Sequence, residues 1–231
     1  MLPTISNRLG TPSKSGGELP EVNLPEGYEQ LNYVTANEYT YIQTDVYVSN
    51  RLGVEAKASR TYPFGLNGES DSKYVLNARS LGDGQGVDNR YGVPRIKHDG
   101  ASIDMSFGPK IEIPMEEPYV LGTPYTSSIN LYNSGEAVWN GEVLHTFEHS
   151  QFPPDKWCGK PLALLGFTND DGVYGGYRWI GGFYYALFTL DNEIYRYFVP
   201  VLKTSSGRAK IYEVIERKIY EPVEGVFSSW G

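Results

Sequence analysis

Two long strands and the turn between them are written into residues 183–202: FYYALFTL, then Asp191-Asn192, then EIYRYFVPVL. Asp and Asn tolerate the positive φ of a tight primed turn, so this segment predicts a β-hairpin. In its second strand Ile194, Phe198 and Leu202 share one face, with Arg196 between them. Tyr195, Tyr197, Val199 and Val201 share the other. Both faces are apolar enough for a strand between packed layers. Pro200 fits a place where the ladder receives no hydrogen bond.

The rest of the chain follows the same period. In Tyr39–Ser49 the residues Ile42, Thr44, Val46 and Val48 alternate with Tyr41, Gln43, Asp45 and Tyr47, which predicts a half-buried strand. Leu24–Thr44 reads as a turn followed by two strands. Further strands are predicted at Val54–Arg60, Lys73–Arg79, Ser102–Phe107, Tyr125–Tyr132, Glu142–Glu148, Pro161–Phe167 and Ala209–Ile215, punctuated by Gly, Asn, Asp and Pro. Helical periodicity is almost absent, with one turn at Asp155–Cys158 the candidate. Many short strands at close spacing indicate an all-β, two-sheet antiparallel sandwich.

Composition narrows the function classes. A chain of 231 residues is long enough to bury a full core. Its net charge of −8 argues against a nucleic-acid groove, which needs a basic stripe. The longest apolar stretch, around Pro161–Phe167, is too short to span a membrane. The opening MLPTISNRLG lacks the apolar core of a signal peptide. A single cysteine, Cys158, leaves no intrachain disulfide, which suits a protein made in a reducing cytoplasm. Residues 1–23 are rich in Pro, Gly and Ser and show no apolar period, so they are expected to form an extended arm ahead of a domain at 24–231.

Several blocks resemble a family of laminin-G-like, concanavalin A-type jelly rolls found in bacteriophage virion and gut-bacterial surface proteins. Leu24, Pro25, Gly27, Tyr28, Gln30, Leu31, Tyr33 and Val34 match the opening strand signature of that family. Tyr41, Ile42 and Thr44 match its next segment. Tyr74–Arg79 and Pro161–Gly166 resemble two of its middle strands. Arg196, Phe198 and Pro200 match its C-terminal hairpin, where Tyr197 replaces the usual Asp. Gly207, Ile211-Tyr212 and Lys218-Ile219-Tyr220 resemble its tail. The loops Tyr62–Ser72 and Ser80–Pro94 have no counterpart. The resemblance implies a jelly roll without catalysis, carried on a virion or cell-surface protein.

The residues that carry chemistry elsewhere are sparse here. Glu112 and Glu117 have the outer spacing of a glycan-cleaving carboxylate pair. Pro114 stands at the central position, however, and residues five apart on a plain strand point to opposite faces. A solvated carboxylate cluster is expected. His145 and His149 are four apart but lie in a predicted strand with no third ligand, so no metal site is assigned. Cys158 has no local basic partner and reads as an inert thiol. Asp83–Asn89 and Asn169–Gly172 have the acidic composition of calcium loops, and ordinary turns explain both, so no cofactor is assigned. The aromatic residues next to Gly or Pro are more suggestive. Tyr62, Phe64, Tyr91, Tyr174, Tyr177 and Trp179 are the candidate ligand-binding residues, because aromatic faces stack on sugars and anchor protein interfaces.

The expected role is therefore a non-enzymatic bacteriophage virion structural protein. Its jelly roll would decorate the head or tail surface, and residues 1–23 would dock it to other virion proteins. The alternative is a carbohydrate-binding adhesin or receptor-binding protein that recognises host surface glycan or protein through the aromatic loops. Neither reading involves nucleic acid or membrane, and both admit a homo-oligomer.

Overall fold

The computed structural model describes residues 19–36, 40–61, 75–81, 88–96, 100–107, 110–132, 135–148, 161–166, 168–169, 172–173, 180–223 and 225–229. Among them there are strands and no helix. In chain order these are β1 (Tyr28–Gln30), β2 (Val34–Ala36), β3 (Ile42–Tyr47), β4 (Leu52–Arg60), β5 (Leu76–Leu81), β6 (Asp88–Ile96) and β7 (Ser102–Phe107). Then come β8 (Lys110–Pro114), β9 (Tyr125–Asn130), β10 (Glu136–Trp139), β11 (Glu142–Thr146), β12 (Pro161–Leu164), β13 (Thr168–Asn169) and β14 (Gly172–Val173). The last five are β15 (Gly181–Leu190), β16 (Glu193–Lys203), β17 (Arg208–Glu213), β18 (Lys218–Tyr220) and β19 (Ser228–Ser229).

Apart from β13 and β14, which pair with each other, the strands form two antiparallel sheets. The larger follows the order β11-β10-β9-β4-β15-β16-β17-β18, with β1, β2 and β19 attached. The smaller follows β3-β12-β5-β6-β7-β8. Alternation decides what lies between them. Val54, Ala56 and Ala58 of β4, Phe183, Ala186 and Phe188 of β15, and Phe198 of β16 share one buried cluster with Ile42, Val46, Leu162, Leu164, Val93 and Ile103 of the small sheet. Phe188 and Phe198 meet edge to face with centroids 5.4 Å apart, a geometry that aligns ring edge with ring face charge.

The predicted hairpin is β15–β16. Asp191 and Asn192 have φ of 53° and 67°, the left-handed pair that a type I′ turn requires. One detail departs from the expected alternation. Phe188 faces Arg196 and Thr189 faces Ile194, so Tyr195 is an extra residue and β16 bulges there. A bulge reverses the parity before it. Ile194 therefore packs beside Tyr197 and Val199 on the outer face, not with Phe198 as simple alternation predicts. Tyr195 packs against the main core instead.

Pro200 marks a fork. The paired stretch of β15 and β16 stops at Ala186 opposite Phe198. Beyond it, β1 runs along β16 with Gln30 opposite Val201, and β2 returns along β15 with Val34 opposite Phe183. The N–H of Leu31 donates to the Pro200 carbonyl at 3.0 Å. A residue's N and O point to the same side of a strand, so the donor that proline lacks is missing at the point where the two strands part. The chain then closes over this wedge: Ser228 and Ser229 pair with Thr35 and Val34, and Phe227 bridges Ala209.

Two expectations need correction or extension. Part of the stretch Ser80–Pro94, expected as loop, is the end of β5 and most of β6. Pro94 is tolerated there because it falls in the register shift between Gly92 and Arg95, where no β7 partner faces it. Leu19 and Val22, in the segment whose composition suggests an arm, pack with Leu24 and Tyr28 against the outer face of the large sheet. The Tyr212 hydroxyl donates to the Asn23 carbonyl at 3.0 Å and fixes this segment. The helical turn expected at Asp155–Cys158 lies outside the described residues.

Candidate functional site

The aromatic loops of the sequence reading share an origin. β4 ends at Arg60 directly opposite Gly181, where β15 begins. The N–H of Thr61 donates to the Ile180 carbonyl at 3.3 Å. The chain therefore departs after Thr61 and returns at Ile180 side by side. Tyr62, Phe64, Tyr174, Tyr177 and Trp179 belong to the stretches that start and finish at this point, and all five lie outside the described residues. Tyr91 lies elsewhere, on β6 of the small sheet, opposite Ala78 and Phe107.

A third connection is fixed to the same place. Gly122 donates to the Arg60 carbonyl at 2.7 Å, and Arg60 donates to the Tyr119 hydroxyl at 3.0 Å. That hydroxyl in turn donates to the Thr123 carbonyl. Thr123 closes a turn on Val120 at 3.2 Å, with Gly122 at φ +86° as the turn geometry demands. Val120 and Leu121 are exposed at its tip. Burial pushes the Tyr119 phenol above its ordinary pKa, and the nearby Tyr184 phenol adds to the shift.

Tyr184 belongs to the best-defined patch of this end, on the outer face of β4 and β15. Phe183 faces Ala58 while Tyr185 faces Lys57, so Tyr184 is the extra residue of a bulge. The bulge puts Tyr184 and Tyr185 against the same outer cluster. Tyr33, arriving just before β2, lies against Tyr184 with ring centroids 5.3 Å apart and planes 31° off parallel. Gly182 is the floor beneath both rings. A Cβ there would stand 2.6 Å from the Ser59 hydroxyl, 3.4 Å from the Tyr184 ring and 3.5 Å from the Tyr33 ring. Lys57 holds its ammonium 5.4 Å from the Tyr184 centroid. Tyr33, Tyr184 and Lys57 are all partly exposed.

Beside this patch, Tyr185 donates its hydroxyl to Glu55 Oε1 at 2.7 Å. Burial, then the Glu55 charge and this hydrogen bond, push the Tyr185 phenol far above its ordinary value. Farther along β9 the outer face is polar, with Thr126, Ser128 and Asn130 partly exposed. The surface near Tyr184 thus combines aromatic planes, hydroxyls and one ammonium.

The other candidates gather no such surroundings. Glu112 is exposed on the edge strand β8, where it accepts from the Ser102 hydroxyl at 3.3 Å, and Glu117 is exposed in the following loop. His145 sits on β11 with its ring edge to face with Phe147 at 4.7 Å. His149, Cys158 and the loop 83–87 lie outside the described residues, as do Asp170 and Asp171. Among the described residues no group of three His, Cys, Asp or Glu is placed to hold a metal ion. Tyr33, Tyr184 and Lys57 are not among the ligand-binding candidates that the sequence offers. The signal that bears on them is the Gly181-Gly182 pair inside a strand pattern, which marks a bulge or a close approach.

No protein-family model matches this chain, and no curated protein does. Among solved structures it is similar to the native heptameric SAP-like pentraxin from Limulus polyphemus. The match has 10% sequence identity and a TM-score of 0.50, and covers 87% of this chain and 94% of that one. At that identity the likeness speaks for the fold: this chain is an all-β, two-sheet antiparallel jelly roll of the concanavalin-like kind.

Proposed function

We propose that this protein is a non-enzymatic recognition module that binds glycans through the Gly181 end of its large sheet. One observation carries the reading: two partly exposed tyrosine rings are laid over a glycine floor. The C–H face of a sugar packs on such rings, while its hydroxyls need polar groups close by. Thr126, opposite Lys57, and Ser128, opposite Glu55, supply them on the same face. A glycan array with the full chain and with Tyr184→Ala tests the reading. Binding that is lost in the variant supports it, and a blank array with the folded wild type removes it.

A second reading, a decoration protein of a phage virion, rests on the sequence resemblance and on the path of the N-terminal segment. Leu19 and Val22 dock on the outer face. A partner held by residues 1–23 would meet the outer face of the large sheet at Leu19 and Val22. Particle incorporation with and without residues 1–23 tests it. The two readings are compatible, since a displayed jelly roll can also bind a glycan.

A further inference from the structure

We infer that the Tyr33–Tyr184 patch selects sugars bearing an anionic group, with Lys57 as the residue that reads the charge. The inference rests on the glycan reading above and narrows it to a ligand class.

The cations near tyrosine rings are engaged to different degrees. Three of them lie over rings in the described residues: Lys57, Arg196 and Lys218. Arg196 stacks on Tyr195 at 4.0 Å and is tied to Glu216 and Asp45. Lys218 lies 4.5 Å over the Tyr220 ring and feels the Asp45 and Glu216 charges. Lys57 has neither an ion-pair partner nor a hydrogen-bond acceptor among the described residues. The carboxylate two positions before it on the same face, Glu55, takes the Tyr185 hydroxyl. A protein of net charge −8 therefore holds an uncommitted ammonium beside its best aromatic platform. Lys57 is itself only partly exposed, so an ion pair formed there is less screened than one on open surface.

The geometry supplies the remaining recognition. The Tyr33 and Tyr184 rings offer a flat apolar contact for one face of a pyranose. Thr126, partly exposed and opposite Lys57 on β9, adds a hydroxyl on the same face. A carboxylate or sulfate on the ring edge would reach the ammonium while the sugar face stays on the rings. The same anion on a flexible chain would lack the ring contact, and a neutral sugar would lack the ion pair.

The test compares a trigalacturonate, its methyl ester and a sulfated trisaccharide by calorimetry against the full chain. Esterification removes the charge and keeps the ring. The wild type should bind at least one of the two anionic ligands about tenfold more tightly than the ester, the scale of one charge-assisted hydrogen bond. That preference should shrink with added salt. Lys57→Gln should lose the preference, Lys57→Arg should keep most of it, and binding of the ester should stay within about twofold throughout. Thermal melts of each variant establish that it is folded. Equal affinity for all three ligands overturns the inference, as does a preference that survives Lys57→Gln. Failure to bind any of the three overturns it too. The glycan reading itself stands or falls on the Tyr184-dependent array signal, so the two failures are distinguishable.

Discussion

The Tyr185 hydroxyl reaches across from β15 to Glu55 on β4 and donates to Oε1 at 2.7 Å, with both residues largely buried on the outer face of the large sheet. A carboxylate taken out of water needs its donors. Tyr185→Phe removes one and leaves the rest of the ring in place. It should cost about 1–3 kcal/mol, read as a lower urea midpoint with an unchanged slope.

Burial also ties the tyrosines to alkaline stability. Tyr185, Tyr125, Tyr119, Tyr197 and Tyr220 are all held above the ordinary phenol value of 10.0, in each case first by desolvation. A folded-state pKa raised above the unfolded value gives stability that is complete below the unfolded value. It is lost as pH climbs above it. Stability should therefore hold up to about pH 10 and then fall. Phenolate absorbance should show an exposed group of tyrosines ionising first. A second group should appear together with loss of the β-sheet circular dichroism signal.

Gly181 and Gly182 give a graded pair. A Cβ on Gly181 would stand 1.9 Å from the Ser59 carbonyl oxygen, a backbone atom that cannot turn aside. On Gly182 the nearest atom is the Ser59 hydroxyl at 2.6 Å, a side chain that can rotate. Gly182→Ala should cost about 1–3 kcal/mol and Gly181→Ala more, measured by thermal melts. Gly182→Ala should also weaken any ligand held on the Tyr33–Tyr184 platform, since the rings must shift to admit the methyl.

The hairpin turn separates conformation from contact. At Asn192, φ is +67°, which a β-branched residue adopts only with strain. Asn192→Val should cost about 1–2 kcal/mol. Asn192→Gly relieves the backbone but loses the 3.2 Å hydrogen bond from Asn130 Nδ2, so it should be near neutral. Denaturant melts of the two variants decide this.

Glu213 is fully buried at the end of β17 and organises the next turn. Its Oε1 accepts from the Tyr197 and Ile215 N–H groups at 3.0 Å each, and its Oε2 from Glu216 at 2.6 Å. Glu213→Ala strands three backbone donors and should cost about 3 kcal/mol or more. Glu213→Gln keeps one carbonyl oxygen and should fall between. Amide exchange at Tyr197, Ile215 and Glu216 should speed up in the alanine variant.

Local chemistry was legible wherever a strand obeyed its own alternation. Ile42, Thr44, Val46 and Val48 are buried as their spacing predicts, and Ser102–Phe107 is β7. Reading failed where one inserted residue changed the parity. Tyr195 moves Ile194 to the opposite face, and no local pattern announces a bulge between two apolar residues. β6 was hidden because Pro94 and the glycines before it carry turn chemistry, which a register shift absorbs. The aromatic candidates were chosen for their neighbours in sequence. The patch the structure defines, from Tyr33, Lys57, Ser59, Gly182 and Tyr184, joins residues up to 151 positions apart in the sequence.

By itself the sequence determined the class of fold, because period-two alternation and turn residues act over a few bonds. It also determined the Asp191-Asn192 hairpin, since positive φ is a property of those residues. Tertiary structure decided the rest. It opened a fork at Pro200, seated β1 and β2 in it, and closed it with residues 227–229. Pairing between strands distant in sequence depends on which edges and faces remain free once the sheets meet. The same pairing brought Lys57 over Tyr184 and left its ammonium without an acceptor among the described residues. No window of sequence contains that relationship.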